Sequence, residues 1–299
     1  MKQYIGVDLG GTQVRCARVS EDGEILQMVS SPSKALEDSE TIVNNMISTI
    51  KQLDFNDEIA GIGLGVPGPV DTINGKMVMA TNIPALTNFP MVKIIKDEFK
   101  LPTYMDNDAN VAGLAEALIG AGKGLPIVYY LTHSTGIGGA LIVNGQVVSG
   151  KHGHAGEIGN IIINRHGKKY NHLNPGAVEN EASGTAITRR AQLEVSPDIE
   201  ITKDLFDLAR KHDPKALKLV DEIAMDMALL FSAIAHVVDP DVFVVGGGVT
   251  KSKDVYFDRV IDYYKKHVHT NMQTTQFVFA SLKEPGIIGA AMLPKSKGY

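Results

Sequence analysis

The sequence predicts an α/β protein with two lobes built on a single plan. Two stretches, 4–27 and 127–150, each contain an apolar strand, a glycine-rich turn, a second strand, a tight turn and a third strand. The tight turns are DG and NG, and these dipeptides between alternating apolar runs are strong hairpin signals. Helices and strands alternate after each stretch, as in a sheet covered by helical layers. The repeated plan favours two similar lobes, although unrelated β-meanders can share the same outline.

The remaining elements are predicted from apolar spacing and from glycine and proline breakers. Helices are expected at 39–54 with Ser39 as the N-cap, and at 89–100, 109–122, 184–194, 214–239 and 255–268. Extended segments are expected at 59–70, 101–108 and 240–250. No linker or low-complexity segment interrupts this alternation, so we expect closely packed lobes.

Composition and charge limit the class of protein. The 299 residues are 44% apolar and 21% charged, as in soluble globular proteins. A net charge of −5 gives no electrostatic reason to expect nucleic-acid binding. The single cysteine, Cys16, rules out an intrachain disulfide and a cysteine-based zinc cage. The first residues enter a strand without a signal-peptide core, and no uncharged apolar stretch approaches the roughly 20 residues that span a bilayer. We therefore expect a cytoplasmic protein without membrane or nucleic-acid partners.

Two glycine-rich turns are candidate phosphate-binding sites: DLGGT (8–12) and STGIGG (134–139). Glycines allow backbone N–H groups to approach phosphate oxygens closely. In the first turn, Asp8 could hold a Mg²⁺-bound water and Thr12 could donate to a phosphate. Neither turn fits a P-loop or a strand–GxGxxG–helix unit. Since hairpins also use glycine for conformational reasons, the prediction rests on the pair occurring at equivalent places.

Two further junctions combine a strand end with chemically useful groups. The segment DNDAN (106–110) ends a strand and opens a helix, so an Asx residue could simply cap that helix. Alternatively, Asp108 could act as a general base, since the helix N-terminus favours its ionised form. The glycines 246–248 follow the strand VFVV and form either a plain strand-to-helix turn or a close approach to a flat ligand such as adenine.

The segment 152–184 leaves an open question at this stage. It holds four of the nine histidines, His152, His154, His166 and His172, and also Glu157, Glu179 and Glu181. A metal site, a sugar-binding face and a polar loop are all consistent with these residue types.

Taken together and in order, these motifs resemble those of ROK-family sugar kinases and repressors. The matching segments, from about residue 4 to about residue 292, are IGVDLGGT, DNDAN, STGIGGALIVNGQVVSG, AGEIGN, ENEASGTA and VVGGGV. The resemblance implies the actin-like ATPase (hexokinase-type) fold, with two RNase H-like lobes around a central cleft. It implies an N-terminal lobe of residues 1–118, against which the helix 286–299 packs, and a C-terminal lobe of residues 119–285. The implied activity is Mg²⁺-dependent transfer of the ATP γ-phosphoryl group to a sugar hydroxyl, usually the 6-hydroxyl of a hexose.

The resemblance also assigns roles to individual positions. Asp108 matches the catalytic base. The matching sugar-binding positions are Gly68, Thr81, Asn107, Glu157 and Glu179, with Asn160 replacing a histidine that touches the sugar in the family. The matching nucleotide positions, besides Asp8, are Gly10, Gly11, Thr12, Thr135, Gly136 and Gly247.

The family pattern in the histidine-rich segment includes a structural zinc held by one histidine and three cysteines. This chain has Asn160 for the histidine, and Tyr170, His172 and Ala177 where the cysteines would stand. Structural zinc needs four donors, and an alanine methyl occupies one of these places. We therefore expect no metal here, with the functional role of the segment falling on Glu157, Asn160 and Glu179.

Three functions remain in competition. A hexose kinase is favoured, because this chain begins directly at the kinase strand while repressor members carry an N-terminal DNA-binding domain. A sugar-binding sensor without catalysis would not need both phosphate turns and DNDAN. A phosphatase or ATPase on the same fold would need no sugar. Glucose, fructose, mannose, N-acetylhexosamines and β-glucosides all stay open as acceptors, and a homodimer is usual for the family.

Overall fold

The computed structural model describes residues 1–80 and 82–299. The chain divides into two compact units. The first comprises residues 1–130, 140–156 and 280–299, and the second comprises residues 131–139 and 157–279. The lobe boundaries expected at residues 118 and 285 stay a prediction.

Strands and helices alternate along both units. The strands are β1 (Gln3–Leu9), β2 (Gln13–Ser20), β3 (Ile25–Pro32), β4 (Ile59–Val66), β5 (Val70–Asp71), β6 (Lys76–Met77), β7 (Thr103–Asn107), β8 (Ile127–His133), β9 (Ile137–Val143), β10 (Gln146–Val147), β11 (Val242–Gly246) and β12 (Gln276–Phe279). The α-helices are α1 (Ser39–Ile50), α2 (Met91–Phe99), α3 (Asp108–Leu118), α4 (Val178–Ala182), α5 (Gly184–Glu194), α6 (Thr202–Arg210), α7 (Pro214–Val238), α8 (Lys253–His267) and α9 (Pro285–Ser296).

Two five-stranded sheets share one strand order, which confirms the repeated plan. The first is β3-β2-β1-β4-β7 and the second is β10-β9-β8-β11-β12. In the first sheet β1 pairs antiparallel with β2 and parallel with β4, which in turn is parallel to β7. Parallel pairing of β4 and β7 places their carboxyl ends, at Val66 and Asn107, side by side. The order 3-2-1-4-5 in both sheets is the RNase H-like arrangement expected from the sequence.

Helix α9 lies very close to the first sheet, and two glycines make this approach possible. A Cβ at Gly6 would lie 2.2 Å from the Ile287 carbonyl oxygen, and one at Gly63 would lie 1.8 Å from that of Ala290. Any larger residue would push the helix away from β1 and β4. These strands are buried along almost their whole length, and α1 and α2 contribute Ile42, Met46 and Ile95 to the same core.

The second unit is held by aromatic packing around β11 and β12. Phe231 of α7 makes edge contacts with Phe243 and Phe277 at centroid distances of 5.0 and 5.1 Å. Such edge-to-face pairs add about 0.5–1.5 kcal/mol each beyond area burial. Helix α8 joins the cluster through Phe257 and Tyr264, which contact Phe277.

The sequence predictions fail in a few places. The N-cap of α1 is Asp38 rather than Ser39, because the Asp38 carboxylate accepts the Thr41 N–H at 2.9 Å. Helices α4 and α6 and strand β12 were not predicted. Helix α4 and strand β12 are only five and four residues long, whereas α6 carries an apolar face that the sequence-based prediction overlooked. Among the described residues, no helix has the length and apolar content to cross a bilayer.

Candidate functional site

The first glycine-rich turn connects β1 to β2 and is closed by its own backbone. The Gly10 N–H donates to the Gln13 carbonyl at 2.9 Å, and Ser33 binds the carbonyls of Gly11 and Thr12 through its hydroxyl and its N–H. Gly11 and Thr12 are exposed. The turn therefore presents backbone and a hydroxyl to solvent, as a phosphate site requires.

Asp8, at the base of this turn, has an ion-pair partner that the sequence did not reveal. Arg15 faces it across the β1–β2 ladder and donates from Nε at 3.2 Å and from Nη2 at 2.5 Å, both to Oδ2. Arg15 also binds Glu284 at 2.7 Å. The two Arg15 bonds to Asp8 both go to Oδ2, so the guanidinium fixes the position of that carboxylate oxygen.

The strand–helix junction at 106–110 places Asn107 and Asp108 at the carboxyl end of β7. Asn107 is the N-cap of α3: its Oδ1 accepts the Ala109 N–H at 2.8 Å, and its Nδ2 donates to the Gly68 carbonyl at 3.0 Å. Gly68 has φ +84°, and a Cβ there would lie 2.5 Å from the Met79 carbonyl oxygen. Three predicted site residues, Gly68, Asn107 and Asp108, are thus held together in the first unit.

Asp108 is the exposed member of this group. Its Oδ1 accepts the Ala109 N–H at 2.7 Å, so the first turn of α3 orients the carboxylate. Thr81, which the sequence also assigns to sugar binding, lies outside the described residues.

Asp106 stabilises the same junction from the buried side of the chain. It is buried, and its carboxylate accepts bonds from the Asn107 N–H at 2.8 Å, Asn110 Nδ2 at 2.7 Å and the Ser149 hydroxyl at 2.9 Å. Burial raises the pKa of Asp106, and the hydrogen bonds from Asn110, Asn107 and Ser149 oppose that rise. The carboxylate joins β7, α3 and the loop after β10 in one polar cluster.

The second glycine-rich turn, between β8 and β9, is bound by the start of α5. The N–H groups of Gly184 and Thr185 donate to the carbonyls of Ser134 and Thr135 at 2.7 and 3.3 Å. Ser183 caps the same helix by accepting the Ala186 N–H at 3.2 Å. The turn and the helix N-terminus therefore form one rigid surface within the second unit.

Glu179 lies in the first turn of α4 and reaches this glycine-rich turn. Its Oε2 accepts the Ile137 N–H at 2.8 Å. A Cβ at Gly136 would lie 2.7 Å from that oxygen, and one at Gly159 would lie 3.0 Å from it. The two glycines thus create the space for the carboxylate, which links a predicted nucleotide position, Gly136, with the predicted sugar-binding segment.

The segment 160–178 folds back on itself between Glu157 and Glu179. The Ile163 N–H donates to the Gly176 carbonyl at 3.0 Å, and the Val178 N–H donates to that of Ile161 at 2.8 Å. Asn160 Oδ1 accepts the Asn174 N–H at 2.7 Å, so this oxygen holds the loop closed. Glu157 and Asn160 are both exposed.

Three side chains stand where the family pattern has zinc cysteines, and they do not converge on a metal. Ala177 is fully buried and His172 is exposed, while the Tyr170 ring lies 3.8 Å below the Arg189 guanidinium carbon. In the described part of the chain, no group of three histidine, cysteine, aspartate or glutamate residues is placed to hold a metal ion. Hydrogen bonds and a stacked arginine close the loop here.

A cavity of about 480 Å³ opens beside the second glycine-rich turn. Its lining includes Gly248 of the predicted glycine triplet and residues that the sequence-based assignment missed: Gly184, Thr185, Thr188, Thr202 and Phe206. Of the predicted nucleotide residues in this unit, Thr135 lines the cavity. Gly247 instead packs against β8, since a Cβ there would lie 2.3 Å from the His133 carbonyl oxygen. In the sequence, the glycines 246–248 indicated part of this cavity lining, whereas no pattern marked the threonines of α5 and α6.

Comparison with known proteins identifies the class to which this fold and these sites belong. The ROK family model matches residues 4–297 of the chain. The chain therefore belongs to the ROK family, and its fold is the actin-like ATPase fold of that family's sugar kinases.

Individual relatives match along nearly their whole length. A glucokinase of Thermotoga maritima is 31% identical, with 99% of this chain and 98% of that protein covered. The crystal structure of a ROK hexokinase from Thermus thermophilus superposes with a TM-score of 0.86 at 31% identity, covering 97% of each chain. A ROK family glucokinase from Streptomyces griseus, solved with glucose and AMPPNP, superposes with a TM-score of 0.74 at 27% identity, covering 97% of this chain and 98% of that one.

Proposed function

We propose that this protein is an ATP-dependent sugar kinase that phosphorylates a hydroxyl, the 6-hydroxyl in a hexose, with Asp108 as the general base. The observation that carries the proposal is the junction at 106–108, where the capped helix α3 presents an exposed, oriented carboxylate. Phosphoryl transfer requires a base that orients the hydroxyl and accepts its proton as the bond to phosphorus forms. The kinship with glucokinases supports the same activity.

Sugar binding is assigned to Gly68, Asn107, Glu157, Asn160 and Glu179, together with Thr81. Asn107 is already held by Ala109 and Gly68, so its position is set before the sugar arrives. Glu179 has one oxygen on the Ile137 N–H, and its carboxylate can accept sugar hydroxyls through its remaining lone pairs. Such preorganised acceptors fix the orientation of a polyhydroxylated substrate.

The nucleotide is assigned to the two glycine-rich turns and to the cavity beside the second one. Thr12 and Thr135 are both exposed and can donate to phosphate oxygens. The Asp8 carboxylate would hold Mg²⁺ through a bound water, because a carboxylate oxygen accepts hydrogen bonds and Arg15 keeps this side chain in place. When bound, Mg²⁺ neutralises charge on the transferred phosphoryl group.

A sugar panel in a coupled ADP-release assay tests this function. Glucose, fructose, mannose, N-acetylmannosamine, N-acetylglucosamine and a β-glucoside each serve as acceptor, with ATP and Mg²⁺ present. We expect sugar-dependent ADP release with at least one hexose, and a loss of about a thousandfold in kcat for Asp108→Asn. ADP release without sugar would indicate an ATPase. Sugar binding by calorimetry without turnover would indicate a sensor, and near-normal turnover of Asp108→Asn would refute the assigned base.

A further inference from the structure

The five-residue helix α4, which carries Glu179, ends in carbonyl groups that side chains from other elements bind. Arg189 Nη2 donates to the Asn180 carbonyl, Arg190 Nη1 donates to the Glu181 carbonyl at 3.0 Å, and His133 Nε2 donates to the Ala182 carbonyl at 2.7 Å. The last carbonyls of a helix have no partner within it. Three successive carbonyls of α4 are thus satisfied from outside.

These contacts matter more for α4 than they would for a long helix. A helix of five residues has no stability of its own, because the first hydrogen-bonded turn is costly to form. Its orientation therefore depends on what binds its ends. Glu179 is its second residue, so a small rotation of α4 would move the carboxylate away from Ile137 and from Gly136.

Arg189 differs from its neighbour Arg190 in what surrounds it. Arg190 forms ion pairs with Glu194, Glu222 and Asp226 and so anchors α5 to α7. Arg189 forms no ion pair among the described residues. Its guanidinium instead binds the Asn180 carbonyl and stacks at 3.8 Å on the Tyr170 ring. Both contacts lie on the segment that carries the sugar-binding positions.

The Asn180 side chain extends this connection to the loop. Its Nδ2 donates to the Asn174 carbonyl at 3.1 Å, and Asn174 in turn binds Asn160 through its own N–H at 2.7 Å. Asn180 is buried, so its polar groups depend on these partners. Arg189 therefore contacts α4 at Asn180 and the loop after Asn160 at Tyr170.

We propose that Arg189 is a positioning residue for the acceptor sugar, which it serves by clamping α4 and the 160–177 loop so that Glu179 and Asn160 stay in binding geometry. This inference rests on the proposed function for its kinetic consequence. Its structural consequence, the order of 160–182, is independent of any activity. A cationic donor to a carbonyl is stronger than a neutral one, and stacking on tyrosine adds to it.

The test compares Arg189→Ala, Arg189→Lys and Tyr170→Leu with Arg259→Ala. Arg259 is the matched control, since its hydrogen bond and ion pair go to Asp221 of α7 in the same unit rather than to α4. Steady-state kinetics with glucose as acceptor give kcat and separate KM values for glucose and ATP. Hydrogen exchange measured by mass spectrometry follows peptides covering 160–182 in the free protein.

For Arg189→Ala we expect the glucose KM to rise about tenfold, with the ATP KM within about twofold of wild type. Exchange in 160–182 should accelerate about tenfold while peptides of α7 stay protected. Arg189→Lys should recover part of both effects, because it keeps the charge but not the planar stack. Tyr170→Leu should shift both measurements in the same direction by a smaller factor, and Arg259→Ala should shift neither.

Several outcomes would overturn the proposal. If Arg189→Ala leaves both the glucose KM and the exchange of 160–182 unchanged, Arg189 does not hold this segment in place. Equal increases in the ATP and glucose KM, or faster exchange throughout the second unit, would reduce Arg189 to a general structural residue. If wild type phosphorylates no sugar, the proposed function fails, and exchange in 160–182 alone still decides whether the clamp exists.

Discussion

The two regions that hold the proposed sugar-binding residues position their carboxylates by different means. In the first unit, Asp108 is oriented by a bond from the adjacent Ala109 N–H, at the start of an 11-residue helix that Asn107 caps. In the second unit, Glu179 is oriented by the Ile137 N–H, 42 residues away, and α4 by side chains from α5 and β8.

This difference has a physical origin in helix length. An 11-residue helix with an N-cap and a buried face fixes its own first turn. A five-residue helix cannot, so neighbouring elements supply its geometry. Local positioning should therefore tolerate distant substitutions, whereas positioning by contacts should be sensitive to changes far along the chain.

The variant with the largest expected effect tests Asp106, the buried carboxylate at the strand–helix junction of the first unit. Asp106→Ala removes a buried acceptor from three donors, so we expect a loss of about 3 kcal/mol in the free energy of unfolding. Urea denaturation followed by circular dichroism measures it. Asp71→Ala is the matched control, because Asp71 also accepts three bonds but in an exposed turn. A loss below about 1 kcal/mol in both variants would contradict the role given to Asp106.

A second variant tests the contact-dependent region. In Gly159→Ala the new Cβ would lie 2.4 Å from the Ile137 carbonyl oxygen and 3.0 Å from Glu179 Oε2. We expect a loss of about 2 kcal/mol in stability from overpacking, with a higher sugar KM, measured by urea denaturation and by the ADP-release assay. At Gly286 the nearest atoms to a new Cβ are 3.8 Å away, so Gly286→Ala should leave stability unchanged or higher. Equal stability of these two variants would refute the crowding argument.

A pair of helix caps sharpens the comparison further. Asn107→Ala removes the N-cap of α3 and the bond to the Gly68 carbonyl. Asp38→Ala removes the N-cap of α1 and the bond from the Thr41 hydroxyl, both far from the proposed sugar-binding residues in sequence. We expect the free energy of unfolding, measured by urea denaturation, to fall by about 1.5 kcal/mol in Asn107→Ala and by about 1 kcal/mol in Asp38→Ala. The sugar KM should rise in Asn107→Ala alone. A raised sugar KM in both variants would show that the effect comes from general stability.

The smallest expected effect concerns His133, one of the side chains that bind α4. Its Nε2 donates to the Ala182 carbonyl, and its Nδ1 lies 3.2 Å from the Tyr256 hydroxyl, which can donate to it when the ring is neutral. Burial lowers the pKa of His133 to about 4. Between pH 6.5 and 4 the unfolded chain binds a proton there and the folded chain does not, so stability falls as the pH is lowered.

The variant His133→Gln should therefore lose less stability than wild type between pH 6 and pH 5, by about 1 kcal/mol. Burial raises the pKa of Asp226 to about 6, and this carboxyl acts in the opposite direction in both proteins. The difference between wild type and variant thus isolates the histidine. Parallel pH profiles of the melting temperature would show that the buried ring does not titrate in this way.

Residues with local signals were predictable from the sequence. Asp108 follows a strand and opens a helix, and each glycine-rich turn lies between two apolar strands, so these strands and the helix could be predicted in advance. Ser39 was wrongly chosen as a cap because Asp38 and Ser39 are adjacent and both accept hydrogen bonds. Arg15, which orients Asp8, was missed because nothing in the spacing of 8 and 15 shows that β1 and β2 pair them.

The sequence by itself determined the repeated strand–turn–strand plan, the family to which the chain belongs and the absence of cysteines from the histidine-rich segment. Only the tertiary structure decided what closes that segment. Arg189, Tyr170, Asn174 and Asn180 are ordinary surface-type residues in the sequence, and their contacts span from 6 to 19 positions. Contacts of this kind leave no periodic signal, because they depend on where α4 and α5 lie in space.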